Sequence, residues 1–263
     1  MRRTALATVC LTAATALALT GCQSSKDKTD NDPGKAASTP SSTPSKAKEP
    51  FAGLTGGEIA ERAAEATTGA SSVRVKGDVP DEASGSTITM DMALNKKGDC
   101  AGTMSVGGQG KADLIKVGDT VYMKYDEAFL RAQSKGEKKS DVDAAVALLA
   151  GKWTKMSAKG EDAKEIAGFC DLDTVLGDAD DVHSDASRGK TTTVNGTPAI
   201  VLHERDGKER YTLYVATEGE PYLLQVDSTS TTDPGTLAFS EYDEPVPAKK
   251  PSGEILDLDA LGA

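Results

Sequence analysis

Residues 51–251 predict an α+β domain, an antiparallel β-sheet with helices packed on one face. Three observations predict it. Two blocks of segments carry a hydrophobic period of two, a block between them carries a helical period, and Gly- or Asn-Gly-centred turns join the extended segments. Some 200 residues suffice for one domain with a core of its own.

The elements follow in order. Leu54-Thr55-Gly56-Gly57-Glu58 reads as a helix start, with Thr55 as N-cap and Glu58 three positions on, a capping box. Ile59, Ala63 and Ala66 then give a short amphipathic helix ending near Gly69. Val73 and Val75 alternate with Arg74 and Lys76, and Ile88, Met90, Met92 and Leu94 hold one face of the next strand while Thr89, Asp91 and Ala93 take the other. Cys100 to Val106 keeps the period through Gly102, Met104 and Val106, and Gly118-Asp119 joins Leu114–Val117 to Val121–Tyr125 as a hairpin. This is a meander with one apolar and one wet face. Glu127–Gln133 and Asp141–Ala150 read as helices, the second capped by Ser140 or Asp141. An extended run from Gly151 to Met156 carries the single Trp, Trp153, and Ala163–Leu176 reads as one further helix that includes Cys170. Asn195-Gly196 joins Thr191–Val194 to Pro198–His203, and Asp206-Gly207 leads into Tyr211–Val215. Tyr222–Val226 and Thr236–Tyr242 complete the strands, and Ile255-Leu256 with Leu258 and Leu261 lets the tail, 252–263, dock back.

What precedes the domain is an address. Met1-Arg2-Arg3 is a positive start, and Thr4 through Leu19 is uncharged, long enough for a signal segment but short for a spanning helix. Leu19-Thr20-Gly21-Cys22 resembles a bacterial lipobox, with 1–21 removed and Cys22 lipidated; a secretory signal cut elsewhere, leaving Cys22 a plain thiol, is the alternative. A diacylglyceryl group with a further amide-linked (palmitate-type) chain makes a durable anchor where one chain does not. Residues 22–50 then form a Ser/Thr/Pro/Lys tether with almost nothing apolar, so no core can form, and as a coil it reaches roughly 30 Å. The expected location is the extracytoplasmic face of the cell membrane.

Cysteine usage agrees. With Cys10 discarded and Cys22 lipidated, Cys100 and Cys170 remain, and an isolated pair outside the cytoplasm closes to a disulfide or stays as two buried thiols.

The chain resembles the LolA-like lipoprotein carriers of the LppX/LprG type and their actinobacterial relatives. The resemblance rests on the lipobox and spacer, the Thr55 helix followed by Ser72-Val73-Arg74-Val75, and Lys152-Trp153 after the helices. It continues through the Asn195-Gly196 hairpin and through Gly219-Glu220-Pro221-Tyr222-Leu223 leading to Phe239–Val246. It implies a strongly curved sheet, a half-barrel closed by helices, around an apolar cavity for acyl chains. Met90, Met92, Met104 and Met123 fall at apolar-face positions of neighbouring strands, and unbranched, polarizable Met suits an adaptable pocket as well as it fills a core. With Val73, Ile88 and Trp153 they form the candidate ligand lining. A disulfide from Cys100 to the third helix departs from the best-studied carriers and would restrain that helix if it closes the cavity.

Other functions find little footing. A net charge of −11 argues against nucleic acid. His183 and His203 are the only histidines, and no His-x-x-x-His or Cys-x-x-Cys occurs, so zinc lacks ligands. Asp178–His183 begins like a calcium loop, but His183 stands where Gly is needed and Gly189 where Glu is. Gly189-Lys190-Thr191 ends like a P-loop, yet Ser184 occupies the leading Gly position. There is no Gly-x-Ser-x-Gly elbow and no cofactor motif. The expectation is a non-enzymatic, membrane-anchored protein that binds a lipid or another hydrophobic molecule. The alternative is the same fold with a filled core, presenting a surface to an envelope protein partner; cavity volume separates the two.

Overall fold

The computed structural model describes residues 49–81, 85–176, 185–230 and 234–261. The lipobox with Cys22, most of the spacer, and His183 with most of its acidic loop lie outside the described residues.

The first described element is helix α1 (Gly56–Gly69), followed by strands β1 (Ser72–Asp81), β2 (Ser86–Asn95), β3 (Cys100–Val106), β4 (Ala112–Val117) and β5 (Thr120–Tyr125). Helices α2 (Glu127–Gln133) and α3 (Lys139–Leu149) lead to β6 (Trp153–Ser157), and α4 (Glu161–Gly168) and α5 (Leu172–Leu176) follow. Strands β7 (Ser187–Val194), β8 (Thr197–Asp206), β9 (Glu209–Ala216), β10 (Leu223–Thr229) and β11 (Pro234–Ser240) come next, then β12 (Ile255–Asp257) and α6 (Leu258–Leu261).

All the described strands join one sheet in the order β12-β6-β5-β4-β3-β2-β1-β11-β10-β9-β8-β7. The pairs are antiparallel except β12 with β6. The sheet is curved and unclosed, wrapping a single hydrophobic core to which strands as far apart as β5 and β8 both contribute. The first meander and the last block of strands meet along the β1–β11 seam.

Pairing register sorts the side chains. Leu237, Gly77, Met90, Met104, Ala112 and Tyr125 lie opposite one another in a row across β11, β1, β2, β3, β4 and β5. Cross-strand partners share a face, so this row and its neighbours, including Val75, Met92, Leu114 and Met123, form the inner, apolar side. The outer side carries ion pairs: Asp91 takes Arg74 at 2.7 Å and Lys76 at 3.4 Å, and Lys124 meets Asp113 at 2.7 Å. Such half-exposed pairs contribute little to stability but keep that face wet.

The helix α1 starts as its sequence requires. The Thr55 N–H donates to Glu58 Oε2 at 2.7 Å, and the Glu58 N–H donates to Thr55 Oγ1 at 3.2 Å. Ile59, Ala60 and Ala63 are buried in the core, and α1 packs on β7 to β10. Gly56 lies against β7, where a Cβ would fall 2.1 Å from the Ala186 carbonyl oxygen, so no larger residue fits. Arg188 on β7 reaches back over the chain leading into α1. Its guanidinium donates to the carbonyls of Pro50 (2.9 Å), Phe51 (2.9 Å) and Leu54 (2.7 Å) and to Glu49 at 3.2 Å.

Several expectations need correction. Ala163–Leu176 is two helices with a turn at Phe169–Asp171, because the Asp171 carboxylate accepts the Thr174 N–H at 2.7 Å and starts α5 as a new, capped helix. Cys170 therefore sits in the turn. Helix α3 begins at Lys139 with Lys138 in the N-cap position, and neither Ser140 nor Asp141 caps it. The tail does dock back, and does so as a strand: β12 pairs with the β6 edge, the Lys155 ammonium meets Asp257 at 2.7 Å, and the Ser157 N–H donates to Asp259 at 2.9 Å.

A polar corner fastens the seam. The Tyr222 and Tyr242 rings stack with centroids 4.0 Å apart, and the Tyr242 hydroxyl donates to the Leu223 carbonyl at 2.6 Å. Asp243, held at φ 59°, accepts from the Tyr222 hydroxyl at 2.6 Å, from the Ser71 N–H at 2.7 Å and from the Ser71 hydroxyl at 2.8 Å. These donors, the Tyr222 hydroxyl first, hold the Asp243 carboxyl below the usual carboxylate range. The same bond, more than burial, pushes the Tyr222 phenol up to about 12. A carboxylate with a depressed folded-state value favours folding above its ordinary value of about 4, and that advantage goes as the pH falls through the folded-state value. A raised phenol favours folding below about 10, and that advantage is lost as the pH rises toward 12. Urea titrations at pH 7, 4 and 3 are therefore expected to show a smaller acid loss in Asp243→Asn than in the wild type. Equal losses would mean that the corner contributes nothing to acid stability.

Candidate apolar ligand cavity

The inner face is not packed solid. Over the seam lies a half-open cavity of about 350 Å³, lined by Val75, Val79, Met90, Leu237, Gly168, Phe169, Thr174 and Val175. The floor comes from alternate residues of β1, β2 and β11, and the roof from the turn between α4 and α5 and from α5 itself. Gly77 explains why the floor is hollow. It occupies the place between Val75 and Val79, opposite Met90 and Leu237, and a Cβ there would fall 1.9 Å from the Thr236 carbonyl oxygen. Only glycine lets β1 and β11 approach this closely, so the row lacks a side chain at its centre.

Among the described residues no charged side chain lines the cavity, and Thr174 supplies the only side-chain hydroxyl. The roof is joined to the sheet by the Cys100–Cys170 disulfide, whose Cα atoms are 5.1 Å apart. Cys100 opens β3 and is paired with Leu94 on one side and Lys116 on the other, so the anchor lies inside the sheet. The flanks are filled. Tyr125 and Phe129 stack at 5.7 Å over the β4–β5 side, where burial pushes the Tyr125 phenol up, and α1 fills the β7–β10 side.

Two larger clefts are of another character. One, about 490 Å³, lies at the β5–β6–β12 edge among Asp119, Lys155, Lys250 and Asp259; the other, about 460 Å³, lies by β7–β9 among Asp185, His203, Arg205 and Arg210. Both are lined by several charged side chains, unsuited to an apolar ligand. Among the described residues no cluster of His, Cys, Asp and Glu is placed to hold a metal ion. No described helix is long and apolar enough to cross a membrane.

Of the seven residues expected to line a ligand site, Met90 lies on the cavity. Val73, Met92, Met104 and Met123 are buried on the same inner face, and Ile88 is half-buried there. Trp153 is on the opposite face. Thr154 turns inward from β6, its hydroxyl donating to the Met123 carbonyl at 3.1 Å, so Trp153 turns outward, with the Lys124 ammonium 4.8 Å from its ring. Sequence reasoning missed Val75, Val79, Leu237 and the roof residues. Alternation continues from Val73 through Val75 to Val79 and could have found the first two, whereas the roof depends on tertiary folding.

The crystal structure of LprF from Mycobacterium bovis matches with a TM-score of 0.53 at 14% sequence identity, over 75% of this chain and 97% of LprF. The two share a fold. The resemblance to the LppX/LprG-type lipoproteins drawn from the sequence is thus met in the architecture. Mycobacterium tuberculosis lipoprotein LppX matches with a TM-score of 0.47 at 14% identity, over 73% of this chain and 97% of LppX. An uncharacterised conserved protein from Thermus thermophilus gives a TM-score of 0.32 at 8% identity, over 76% of this chain and 97% of that one. No protein-family model matches the chain, and no curated protein does.

Proposed function

We propose that this chain is a non-enzymatic lipoprotein, held at the extracytoplasmic face of the cell membrane by acyl groups on Cys22, that binds a lipid or another hydrophobic molecule in the cavity over the β1–β11 seam. The observation that carries this reading is the cavity of about 350 Å³ beneath the α4–α5 turn, whose described lining residues are uncharged. That volume falls within the range of small-molecule sites. The lipobox-like Leu19–Cys22 and the shared fold with LprF support it. Binding is reversible burial of an alkyl chain, near 0.8 kcal/mol per methylene. The spacer gives the domain a working radius of roughly 30 Å about its anchor.

Native mass spectrometry of the full chain carrying Cys22→Ser, expressed in a lipid-rich host, tests the reading free of any attached acyl group. A bound lipid mass is expected, and a bare polypeptide mass would overturn it. A companion variant places the site. Val79→Trp fills the cavity from a half-buried position, so it is expected to weaken binding of a fluorescent fatty acid at least tenfold while moving the melting temperature by only a few degrees. Unchanged affinity would put the ligand elsewhere.

A further inference from the structure

We infer that the cavity accepts one alkyl chain of about a dozen carbons and excludes lipids that must bury two or three chains together; this rests on the hydrophobe-binding reading above. Size is the first argument. An apolar cavity of roughly 150 Å³ holds one benzene, six carbons. The 350 Å³ here is a little over twice that, room for one medium-length chain.

Immobility is the second. Cys170 lies next to Phe169 and within five residues of Gly168, Thr174 and Val175, all four of which form the roof. Its partner Cys100 is held in the sheet by strands on both sides. The roof therefore cannot lift away to admit a second chain without breaking the disulfide or the sheet. Among the described residues the flanks offer no extension either, since the Tyr125–Phe129 stack and α1 pack on the inner face to either side. The lining decides the rest of the chemistry. With no charged side chain among the described residues that line the cavity, an ionised headgroup gains nothing inside and stays at the open mouth, so the ligand is a single-chain amphiphile of the fatty-acid or lysolipid kind.

The test is a displacement series on the full chain carrying Cys22→Ser, using a fluorescent fatty acid as reporter. Competitors are the saturated fatty acids from eight to eighteen carbons and dipalmitoyl phosphatidylglycerol. Affinity is expected to rise about fourfold per added methylene and to level off near twelve carbons. The two-chain lipid is expected to bind at least tenfold more weakly than the best single chain. In the Cys100→Ala/Cys170→Ala double variant the plateau should move to longer chains and the two-chain lipid should gain. A rise that continues through eighteen carbons in the disulfide-bonded chain, or a two-chain lipid that competes as well as the best fatty acid, overturns the inference while leaving hydrophobe binding intact. Failure of every competitor and of the reporter itself overturns both. The wild-type disulfide series decides alone should the double variant not fold.

Discussion

Replacing Cys100 and Cys170 together by alanine will lower the folding stability by about 4 kcal/mol, because the bond closes a loop of 70 residues and its loss returns that loop's entropy to the unfolded chain. For a domain of this size the melting temperature should fall by roughly 10 °C. The cost falls unevenly on the molecule. Cys100 is gripped by neighbouring strands, whereas α4 and α5 are short, of 8 and 5 residues, and lie outside the strand ladder. The roof should therefore lose protection from hydrogen exchange before the sheet does. Guanidinium titration of the oxidised protein against the double variant measures the first effect, and exchange at residues 166–176 measures the second. A loss below about 1 kcal/mol would mean that the roof is held by packing and that the bond is incidental.

The second large effect is expected at Tyr242. Changing it to alanine should cost about 3 kcal/mol, at the lower end for deleting a large aromatic ring because the ring is half-buried. Changing it to phenylalanine should cost about 1 kcal/mol, the loss of the hydroxyl's hydrogen bonds to the Leu223 carbonyl and with the Thr67 side chain. The difference between the two separates stacking from hydrogen bonding. The site matters because it follows β11 directly and lies where that strand, β10 and the end of α1 converge. Thr67, fully buried on α1, accepts the Leu223 N–H at 3.0 Å at the same corner. Loosening it should open the β1–β11 seam, and urea titration of both variants gives the comparison. Equal costs for the two substitutions would show that the ring stack contributes nothing.

Much of this architecture was legible in the sequence because local chemistry and tertiary demand coincide. The Thr55–Glu58 box needs only four residues and appears as written. Asn195-Gly196 makes its turn with Asn195 at φ 49°, as a primed hairpin turn requires. Met90, Met92, Met104 and Met123 share a face because alternation fixes facing within each strand and the hairpins fix it between strands. What could not be read is which members of that face border empty space. Val75 and Met92 alternate alike, yet one lines the cavity and the other packs into the core, because the gap is set by Gly77 in one strand and a roof far along the chain. Trp153 shows a second limit. Its run is too short for periodicity alone to say which side is inward, and the buried Thr154 decides against expectation. The break at Phe169–Asp171 did have a signal, Gly168 followed by the capping Asp171, but an apolar helical period ran across it and masked the stop.

Arg188 gives the segment that enters α1 a mechanical character. A pull on the chain ahead of Glu49 does not first reach α1; it meets four hydrogen bonds radiating from one planar cation seated in β7. Load then passes sideways through the strand-to-strand bonds of β7 and β8, which share it in parallel, before it can peel the helix turn by turn. The segment entering α1 is in effect knotted to the sheet's rim, so a pull on it would strain the sturdiest framework and spare the roof.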